Sequence, residues 1–443
     1  MNSAHELRLA FYGDDFTGST DALEVLARAG LRTMLFVAPP TPEQLAKLGR
    51  VEAVGIAGVT RSLGPEAMAS QLRGALPALK KLGSHHVHYK VCSTFDSSPS
   101  VGSIGRAIDV GAEIFGGRFV PLVVGAPGLG RYCVFGNLFA RMGIGSAGEI
   151  HRLDRHPSMS RHPVTPADES DLRLHLAKQT NKRIGLVDVL ALDRSPAESR
   201  AALDAQLAGG AEIVLFDALT PAHLERIGAL LDEAAPAGQA LFSAGSSAIE
   251  SSLVAHWRAQ KKLADEPKWA APREAKPLLA ICGSCSPVTA GQIDWAKANG
   301  FSEVVLDVRA LFAAEGAIAT ATRATTDALR AGRHVVLHTQ SREPLLVTTE
   351  QRATIGATLG GIAREAIGAT GTKRLLVAGG DTSSYAAAAL GITALEMIAP
   401  LVRGAPLCRA HASGSPMDGV EVNFKGGQVG SENYFGAVAG GKL

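Results

Sequence analysis

Short apolar runs alternate with stretches of helical spacing along the N-terminal half of the chain. The runs that predict buried strands are residues 7–10, 32–38, 51–58, 86–90, 119–125, 184–189, 212–218 and 240–244. The first helices predicted between them are residues 22–27, 42–48, 65–82 and 102–115. Strands that alternate with helices form parallel sheets, which bind ligands at the carboxyl ends of their strands. We therefore predict an α/β fold with its polar chemistry in the turns that follow the strands.

The alternation is interrupted between residues 137 and 166. Residues 137–142 predict a helix, whereas residues 149–157 predict a loop, which belongs to a longer stretch rich in His, Arg and Pro. Between them, residues 143–148 (GIGSAG) spell G-x-G-x-x-G, but a dinucleotide site needs a strand before this motif and a helix after it. The three histidines of the loop lack the spacing of a metal site, and neighbouring arginines would repel a cation. We expect the loop to act as a lid or to bind an anion.

A polar, proline-bearing stretch at residues 261–277 separates this series from a second one. The second series has predicted strands at residues 277–281, 304–308, 334–338 and 374–378 and a predicted helix at residues 385–390. Because 443 residues exceed the usual size of one hydrophobic core, we predict two domains, each built on a mostly parallel sheet with flanking helices. The predicted boundaries are residues 1–262, a linker at residues 263–277, and residues 278–443.

An acidic turn, residues 13–18 (GDDFTG), follows the first predicted strand. Its glycine spacing has the outline of a phosphate-binding P-loop, but Ser19 stands where that motif needs lysine, and two carboxylates would repel a polyphosphate. Asp14 or Asp15 could instead cap the following helix. Two adjacent aspartates before a hydroxyl-rich stretch also suit a hydroxyl-bearing substrate held for proton abstraction, which is the function that we favour.

Two cations, Arg61 and Lys90, follow neighbouring predicted strands and lie beside turns rich in Ser and Thr. Such side chains are usually solvated at the surface, but Arg and Lys also bind carboxylates and phosphates. Their placement at strand ends favours an anion site.

Two glycine-rich turns stand out in the C-terminal part, residues 379–384 (GGDTSS) and 424–431 (FKGGQVGS). Small residues let backbone amides approach a phosphate, especially at the start of a helix. Either turn could also use glycine for its backbone geometry alone.

The composition excludes several classes of function. A net charge of +2 without a dense Lys/Arg block does not indicate nucleic acid or a membrane surface as a partner. Residues 1–8 lack the apolar segment of a signal peptide, and no apolar run is long enough to span a bilayer, so we expect a cytoplasmic protein. The five scattered cysteines do not indicate a disulfide framework, and C-x-x-C at residues 282–285 lies too deep in the chain for a thiol redox site.

Five motifs occur in the order found in the four-carbon acid sugar kinases, and the chain resembles that family along nearly its whole length. They are residues 14–18 (DDFTG), 90–97 (KVCSTFDS), 162–164 (HPV), 283–286 (GSCS) and 379–383 (GGDTS). The resemblance implies an N-terminal domain that binds a sugar acid, a C-terminal domain that binds ATP, and an active site in the cleft between the domains. We expect Mg²⁺ to arrive with the ATP phosphates rather than on protein ligands.

We expect the following residues to form the active site. The base is Asp15, with Asp14 as the alternative; the substrate-binding residues are Asp14, Arg61, Lys90, Ser93, Thr94, Asp96, Arg131 and His162; and the ATP contacts are Ser284, Gly379, Gly380, Asp381, Thr382 and Gly427. Much of the family reads K-V-D-S-T-L-R-G at residues 90–97 and K-S-G-N-F-G near residues 425–430, and it commonly has Glu at position 381. The C-S-T-F-D-S form resembles the branch that phosphorylates 3-oxo-tetronates and leaves a branched acid such as 3-oxo-isoapionate open.

These residues predict an ATP-dependent kinase that phosphorylates a hydroxyl of a four-carbon or branched sugar acid in carbohydrate-acid catabolism. A threonate or erythronate kinase is the alternative within the family. An NAD(P)-dependent dehydrogenase and a sugar-acid binding protein are the alternatives of other classes. The expected partners are a small-molecule sugar acid and ATP, with a homodimer open and neither nucleic acid nor membrane expected.

Overall fold

The computed structural model describes residues 7–142, 148–162, 164–283, 286–313, 316–339 and 348–441. Its strands are β1 (Leu9–Gly13), β2 (Thr33–Phe36), β3 (Ala53–Ala57), β4 (His86–Lys90), β5 (Val120–Val123), β6 (Arg131–Val134), β7 (Asn137–Arg141), β8 (Ile150–Arg152), β9 (Ile184–Val187), β10 (Ile213–Phe216), β11 (Leu241–Gly245), β12 (Leu278–Cys282), β13 (Ser302–Val305), β14 (Val335–His338), β15 (Arg374–Ala378), β16 (Ala394–Val402), β17 (Ala405–His411) and β18 (Glu421–Lys425). Its helices are α1 (Phe16–Arg28), α2 (Pro42–Leu48), α3 (Pro65–Lys81), α4 (Ile104–Phe115), α5 (Leu172–Ala177), α6 (Val189–Leu192), α7 (Pro196–Ala208), α8 (Pro221–Ala234), α9 (Ala248–Ala259), α10 (Pro287–Ala298), α11 (Val308–Ala313), α12 (Ala317–Arg330), α13 (Thr349–Thr370), α14 (Gly380–Ala389) and α15 (Tyr434–Gly440). Within these described ranges, every helix is too short or too polar to cross a membrane.

The chain forms two compact units that do not divide it at a single point. The first contains the described residues up to Asp14, together with Val25–Met34 and Ala38–Pro267. The second contains Asp15–Glu24, Leu35–Val37 and the chain from Lys268. The two adjacent aspartates of the acidic turn therefore belong to different units. The predicted domain boundaries at residues 262 and 278 stay a prediction.

The main sheet of the first unit is parallel throughout, in the order β3-β1-β4-β11-β5-β10-β9. Gly13 pairs with Ala57 on one side and with Lys90 on the other, and Gly245 pairs with Lys90 and Val123. These central strands thus end at the same level, and the turns that follow them share one edge of the sheet.

Helices α3 and α4 cover one face of this sheet and enclose its hydrophobic core. Helix α4 begins where Ser103 accepts a hydrogen bond from the Arg106 N–H, and its apolar face buries Ile108 and Phe115. A large apolar side chain that is fully buried stabilises the fold by about 1.5–3 kcal/mol. The apolar runs predicted as strands lie in this core, which gives the turns at the sheet edge a rigid base.

A small antiparallel sheet, β6-β7-β8, replaces the predicted interruption, so the predicted helix at residues 137–142 is wrong. The predicted loop at residues 149–157 also contains β8 and a short 3₁₀ turn. Phe135 and Gly136 join β6 to β7 with φ angles of 49° and 80°, the left-handed pair that tight hairpins use. In β7 only Leu138 and Ala140 are buried, and this alternation is too short to be distinguished from a helical pattern. Residues 143–147 of the G-x-G-x-x-G motif lie outside the described residues.

The second unit has a mixed sheet. Its parallel part is β13-β14-β12-β15-β18, and β17 and β16 continue it in antiparallel orientation. The predicted strand at residues 304–308 ends at Val305, and α11 begins at Val308. The predicted helix at residues 385–390 already begins at Gly380, so the glycine-rich turn joins β15 directly to the first turn of α14. The predicted α/β class with mostly parallel sheets is confirmed.

Candidate active site

Asp14 and Arg61 form a partly buried ion pair at the edge of the first unit. Arg61 Nη2 donates to Asp14 Oδ1 at 2.7 Å and Nε donates to Oδ2 at 3.1 Å, while the Asp14 residue is only 2% exposed. The backbone supports the pair, because the Arg61 N–H donates to the Asp14 carbonyl at 3.0 Å and the Asp14 N–H donates to the Lys90 carbonyl at 2.9 Å. Two donors of the Arg61 fork are therefore used within the protein, and its charge is balanced by Asp14.

Lys90 lies beside this pair at the end of β4 and is 1% exposed. Its Nζ donates to the Val91 carbonyl at 2.9 Å. The Val91 N–H donates in turn to the Gly245 carbonyl at 2.7 Å, so the turns after β4 and β11 are connected. The structure thus brings Asp14, Arg61 and Lys90 together through hydrogen bonds at the ends of their strands.

The turn after Lys90 is a short network of hydroxyl, thiol and carboxylate groups. Thr94 Oγ1 donates to Asp96 Oδ1 at 2.8 Å and lies 2.9 Å from Cys92 Sγ, while Ser93 is 7% exposed. Burial raises the pKa of Cys92 to about 11, so this side chain is a neutral thiol near pH 7. Phe95 has a φ of 57°, an uncommon conformation for a bulky residue, which orders the turn around the Thr94 hydroxyl.

Arg131, the first residue of β6, holds a buried positive charge. Its Nη1 donates to the carbonyls of Leu129 at 3.1 Å, Gly130 at 3.4 Å and Arg141 at 3.0 Å. Burial lowers the pKa of Arg131, and the nearby Cys92 and Asp96 partly offset that effect. Among the described residues, its buried Nε has no hydrogen-bond acceptor, and no carboxylate lies within ion-pair distance of the guanidinium. A guanidinium fixed by carbonyls but not neutralised by them is suited to bind a carboxylate.

His162 lies apart from these groups. Its Nδ1 accepts a hydrogen bond from the Thr165 N–H at 3.0 Å and lies 2.9 Å from Thr165 Oγ1. Within the described part of the chain, no hydrogen bond or ion pair connects His162 to Arg61, Lys90 or Arg131. Residues 7–142, 148–162 and the later described ranges also contain no group of three or more His, Cys, Asp or Glu side chains placed to hold a metal ion.

Asp15 belongs to the second unit, where it caps α1. Its Oδ1 accepts the Gly18 N–H at 2.7 Å, and its Oδ2 accepts the Thr17 hydroxyl at 2.8 Å. The capping function considered for this turn is therefore present. The same carboxylate also lies beside the glycine-rich turn, because a Cβ built on Gly380 would be 3.7 Å from Asp15 Oδ2. The Asp15 side chain therefore caps α1 and also lies next to the predicted nucleotide site.

The glycine-rich turn after β15 presents the start of a helix. Gly379 has a φ of 118°, which only glycine adopts without strain, and its N–H donates to the Lys425 carbonyl at 2.9 Å. No side chain caps α14, so its first amides and the positive end of its dipole form a potential anion site. Thr382 is 5% exposed in the first turn of this helix. Ser284 and the side chain of Asp381 lie outside the described residues.

The second glycine-rich turn is held against α10. Thr289 Oγ1 donates to the Gly427 carbonyl at 2.9 Å, and Gln292 Nε2 donates to the carbonyls of residues 429–431 at 2.9–3.2 Å. Lys425, which precedes this turn, donates from Nζ to Thr289 Oγ1 at 3.1 Å. No function of Lys425, Thr289 or Gln292 was predicted from the sequence. The signal present in the sequence is a single lysine directly before Gly426 and Gly427.

Two family descriptions match this chain. "Sugar-binding N-terminal domain" matches residues 9–253, and "Nucleotide-binding C-terminal domain" matches residues 279–435. The chain belongs to the four-carbon acid sugar kinase family. It is therefore a sugar-acid kinase, and the predictions of the family and of the enzyme class are confirmed.

Relatives within the family are similar over nearly their full length. A 3-oxo-isoapionate kinase of Paraburkholderia graminis is 44% identical, with 99% of this chain and 95% of the relative covered. A 3-oxo-tetronate kinase of Methylobacterium radiotolerans is 32% identical, with 97% of this chain and 98% of the relative covered. A crystal structure from Salmonella typhimurium LT2 superposes with a TM-score of 0.76 at 26% identity, covering 98% of both chains. These kinase relatives give no support to the dehydrogenase or binding-protein alternatives.

Proposed function

We propose that this kinase transfers the γ-phosphoryl group of ATP to a hydroxyl of a small 3-oxo sugar acid, with 3-oxo-isoapionate as the first candidate. The observation that carries the reaction is the position of Asp15, whose carboxylate lies beside the glycine-rich turn of the nucleotide-binding unit. The candidate acid follows from the 44% identity to a 3-oxo-isoapionate kinase. The 32% identity to a 3-oxo-tetronate kinase makes 3-oxo-tetronates the next acids to test.

In this proposal the two glycine-rich turns bind ATP. The uncapped start of α14 supplies the backbone amides of Gly380 and Asp381 to the phosphates, and Gly379 keeps that position open. Three further groups contact the nucleotide in this proposal: the turn at Gly427, the side chain of Thr382, and Ser284. Magnesium binds with the ATP phosphates and water and neutralises part of their charge, since it dehydrates reluctantly.

The sugar acid is held by the first unit. Arg131 binds the substrate carboxylate, because its guanidinium is buried and no carboxylate of the described residues is paired with it. Lys90, Ser93, Thr94 and Asp96 line the turn that binds the oxo and hydroxyl oxygens. The Asp14–Arg61 pair supports this turn rather than holding the acid alone, since each side chain neutralises the other. The part of His162 in substrate binding stays a prediction, since among the described residues its imidazole contacts Thr165 and none of the other groups assigned to the acid.

Phosphoryl transfer then needs one base. The substrate hydroxyl oxygen forms a bond to the γ-phosphorus, the bond from that phosphorus to the bridging oxygen breaks, and ADP leaves with the electron pair. Asp15 accepts the hydroxyl proton. Such transfer depends mainly on positioning and on neutralising the phosphate charge, so the glycine-rich turns and the base carry most of the catalysis.

The substrate is tested by measuring ADP formation with 3-oxo-isoapionate, 3-oxo-tetronate, threonate and erythronate. We expect ADP formation to require an acid, with the highest kcat/KM for a 3-oxo acid. A higher kcat/KM for threonate or erythronate would replace the proposed substrate with the alternative within the family. ADP formation at the same rate with and without acid would overturn sugar-acid phosphorylation. Light scattering of the purified protein tests whether it forms the homodimer that the sequence leaves open.

A further inference from the structure

Lys425 is a buried lysine that is connected to both glycine-rich turns. It is 0% exposed, and it ends β18 at the carboxyl edge of the sheet. Its carbonyl accepts the Gly379 N–H at 2.9 Å, and its Nζ donates to Thr289 Oγ1 at 3.1 Å. Thr289 in turn donates to the Gly427 carbonyl at 2.9 Å. One residue thus connects the two turns that we assign to the nucleotide.

Among the described residues, the groups that face the Lys425 ammonium carry no negative charge near pH 7. They are Cys282 of β12, Thr289 of α10 and Tyr434 of α15, whose ring centre lies 5.9 Å from Nζ. Burial raises the pKa of Cys282 to about 12, so the thiol is neutral, and burial also raises the pKa of Tyr434. Within the described residues, Lys425 has no ion pair with a carboxylate. Buried ammonium groups are normally neutralised by an acidic partner.

The Lys425 ammonium also lies near the positive ends of two helices. Thr289 lies in the first turn of α10, which begins at Pro287, and the dipole of a helix places partial positive charge at its start. The start of α14 is at the adjacent strand end, directly after Gly379. A cation and two helix starts repel one another unless an anion binds among them. The protein itself supplies no such anion in its described part.

We propose that Lys425 supplies the positive charge that holds the nucleotide phosphates at the two glycine-rich turns. This inference rests on the proposed ATP site and adds a residue to it. The ammonium is buried and contacts Thr289, which contacts the second turn, so it acts on the phosphates by its charge rather than as an exposed ligand. Thr289 keeps the ammonium oriented, and the adjacent helix starts add charge of the same sign.

A proton-linked affinity follows from this position. Burial lowers the pKa of Lys425 to about 8, so part of the lysine is neutral at pH 8 in the free enzyme. A bound polyphosphate favours the charged form and raises this pKa. Nucleotide binding at pH 8 therefore takes up a fraction of a proton, and the affinity declines as the pH rises above 8.

The test is calorimetric titration of the full chain with Mg·ADP at pH 8, in two buffers of different ionisation enthalpy. We expect proton uptake with the native protein and none with Lys425→Met. We also expect Lys425→Met to bind Mg·ADP about 10- to 100-fold more weakly, the effect of losing one interaction with a charged group. Lys425→Arg, whose charge does not titrate near pH 8, should bind without proton uptake. Lys373→Met is the matched control, because Lys373 is exposed at the opposite end of β15.

The outcomes distinguish the function of Lys425 from the proposed ATP site itself. Native-like affinity of Lys425→Met would overturn the function of Lys425 and leave the ATP site intact. Absence of proton uptake by the native protein at pH 8 would also overturn it, even if the variant failed to fold. No binding of Mg·ADP by the native protein would instead refute the proposed ATP site, and the inference with it. We expect Lys425→Met to unfold at no lower temperature than the native protein, because replacing an unpaired buried charge by an apolar side chain seldom destabilises.

Discussion

Asp15 caps a helix and is also the proposed base, and a substitution can separate these two functions. Its carboxylate caps α1 through Gly18 and Thr17 and also lies beside Gly380. Asn caps helices as well as Asp does but is a much weaker base. We expect Asp15→Asn to keep the native melting temperature and ADP affinity while turnover falls by at least about 100-fold. Asp15→Ala should lose both stability and turnover. Near-native turnover of Asp15→Asn would transfer the base function to Asp14 or another residue.

Arg131 provides a test of the acid site that is independent of the base. Since only carbonyls and no described carboxylate contact its guanidinium, removing it should weaken binding of the acid without leaving a buried anion unpaired. We expect Arg131→Met to raise the KM for the acid about 10- to 100-fold and to leave the KM for ATP unchanged. The exposed Arg118 gives the control Arg118→Met. Equal effects on both KM values would show that Arg131 supports the fold rather than the acid.

The positions of the site residues could be predicted from the sequence, but their charge partners could not. Asp15 and Arg61 could be located because each lies in the turn after a strand that local periodicity predicts. The charge balance around them could not, because it depends on residues distant in the chain. Asp14 neutralises Arg61, whereas Arg131 and Lys425 have no carboxylate partner among the described residues. Pairing of this kind is decided by tertiary packing.

The position of the first turn of α14 depends on its close approach to Gly283, which follows β12. A Cβ built on Gly283 would overlap Thr382 Oγ1, at 2.4 Å, and would lie 3.3 Å from its Cγ2, so the Thr382 side chain or the first turn of α14 must shift. We expect Gly283→Ala to displace the first turn of α14 and to weaken Mg·ADP binding at least about tenfold, as overpacking costs about 1–3 kcal/mol.

Gly291 of α10 is the control for this substitution, since nothing lies within 4 Å of a Cβ built there. Gly291→Ala should keep ADP affinity and raise the stability by about 0.5–1 kcal/mol, measured by denaturant unfolding. If Gly283→Ala bound ADP like the native protein, the approach of β12 to α14 would not matter for the nucleotide.

Elements with a long, clear period could be predicted, and those defined by short or non-local pairing could not. Most parallel strands of the first unit coincide with apolar runs, and burial of every residue in strands such as β1 leaves a clear signal. In the hairpin β6-β7 only alternate residues are buried, and its turn is identified by the φ angles of Phe135 and Gly136 rather than by composition. Strands β16 and β17 pair with each other in antiparallel register, with irregularities after Met397 and Ala399. Such pairing leaves little trace in either strand alone.

The residues assigned to the proposed reaction are divided between the two compact units. The first unit carries the Asp14–Arg61 pair, Lys90 and Arg131, and the second carries Asp15 and the two glycine-rich turns. The sugar-binding description covers residues 9–253 and the nucleotide-binding description covers residues 279–435, so the family descriptions agree with the two units except for short segments such as Asp15–Glu24, which pack with the second unit. The motifs that indicated the family are spread over both units, which is why the activity could be predicted more completely than the charge balance of the site.

The most direct test of the proposed function is ³¹P NMR of the purified enzyme with ATP, Mg²⁺ and 3-oxo-isoapionate. We expect the ATP γ-phosphate resonance to be replaced, in equal amount, by a phosphate monoester resonance of the acid, together with the resonances of ADP. Omitting the acid should leave ATP unchanged. Conversion of ATP to ADP and inorganic phosphate, with no phosphate monoester formed from 3-oxo-isoapionate or a 3-oxo-tetronate, would contradict the proposed sugar-acid phosphorylation.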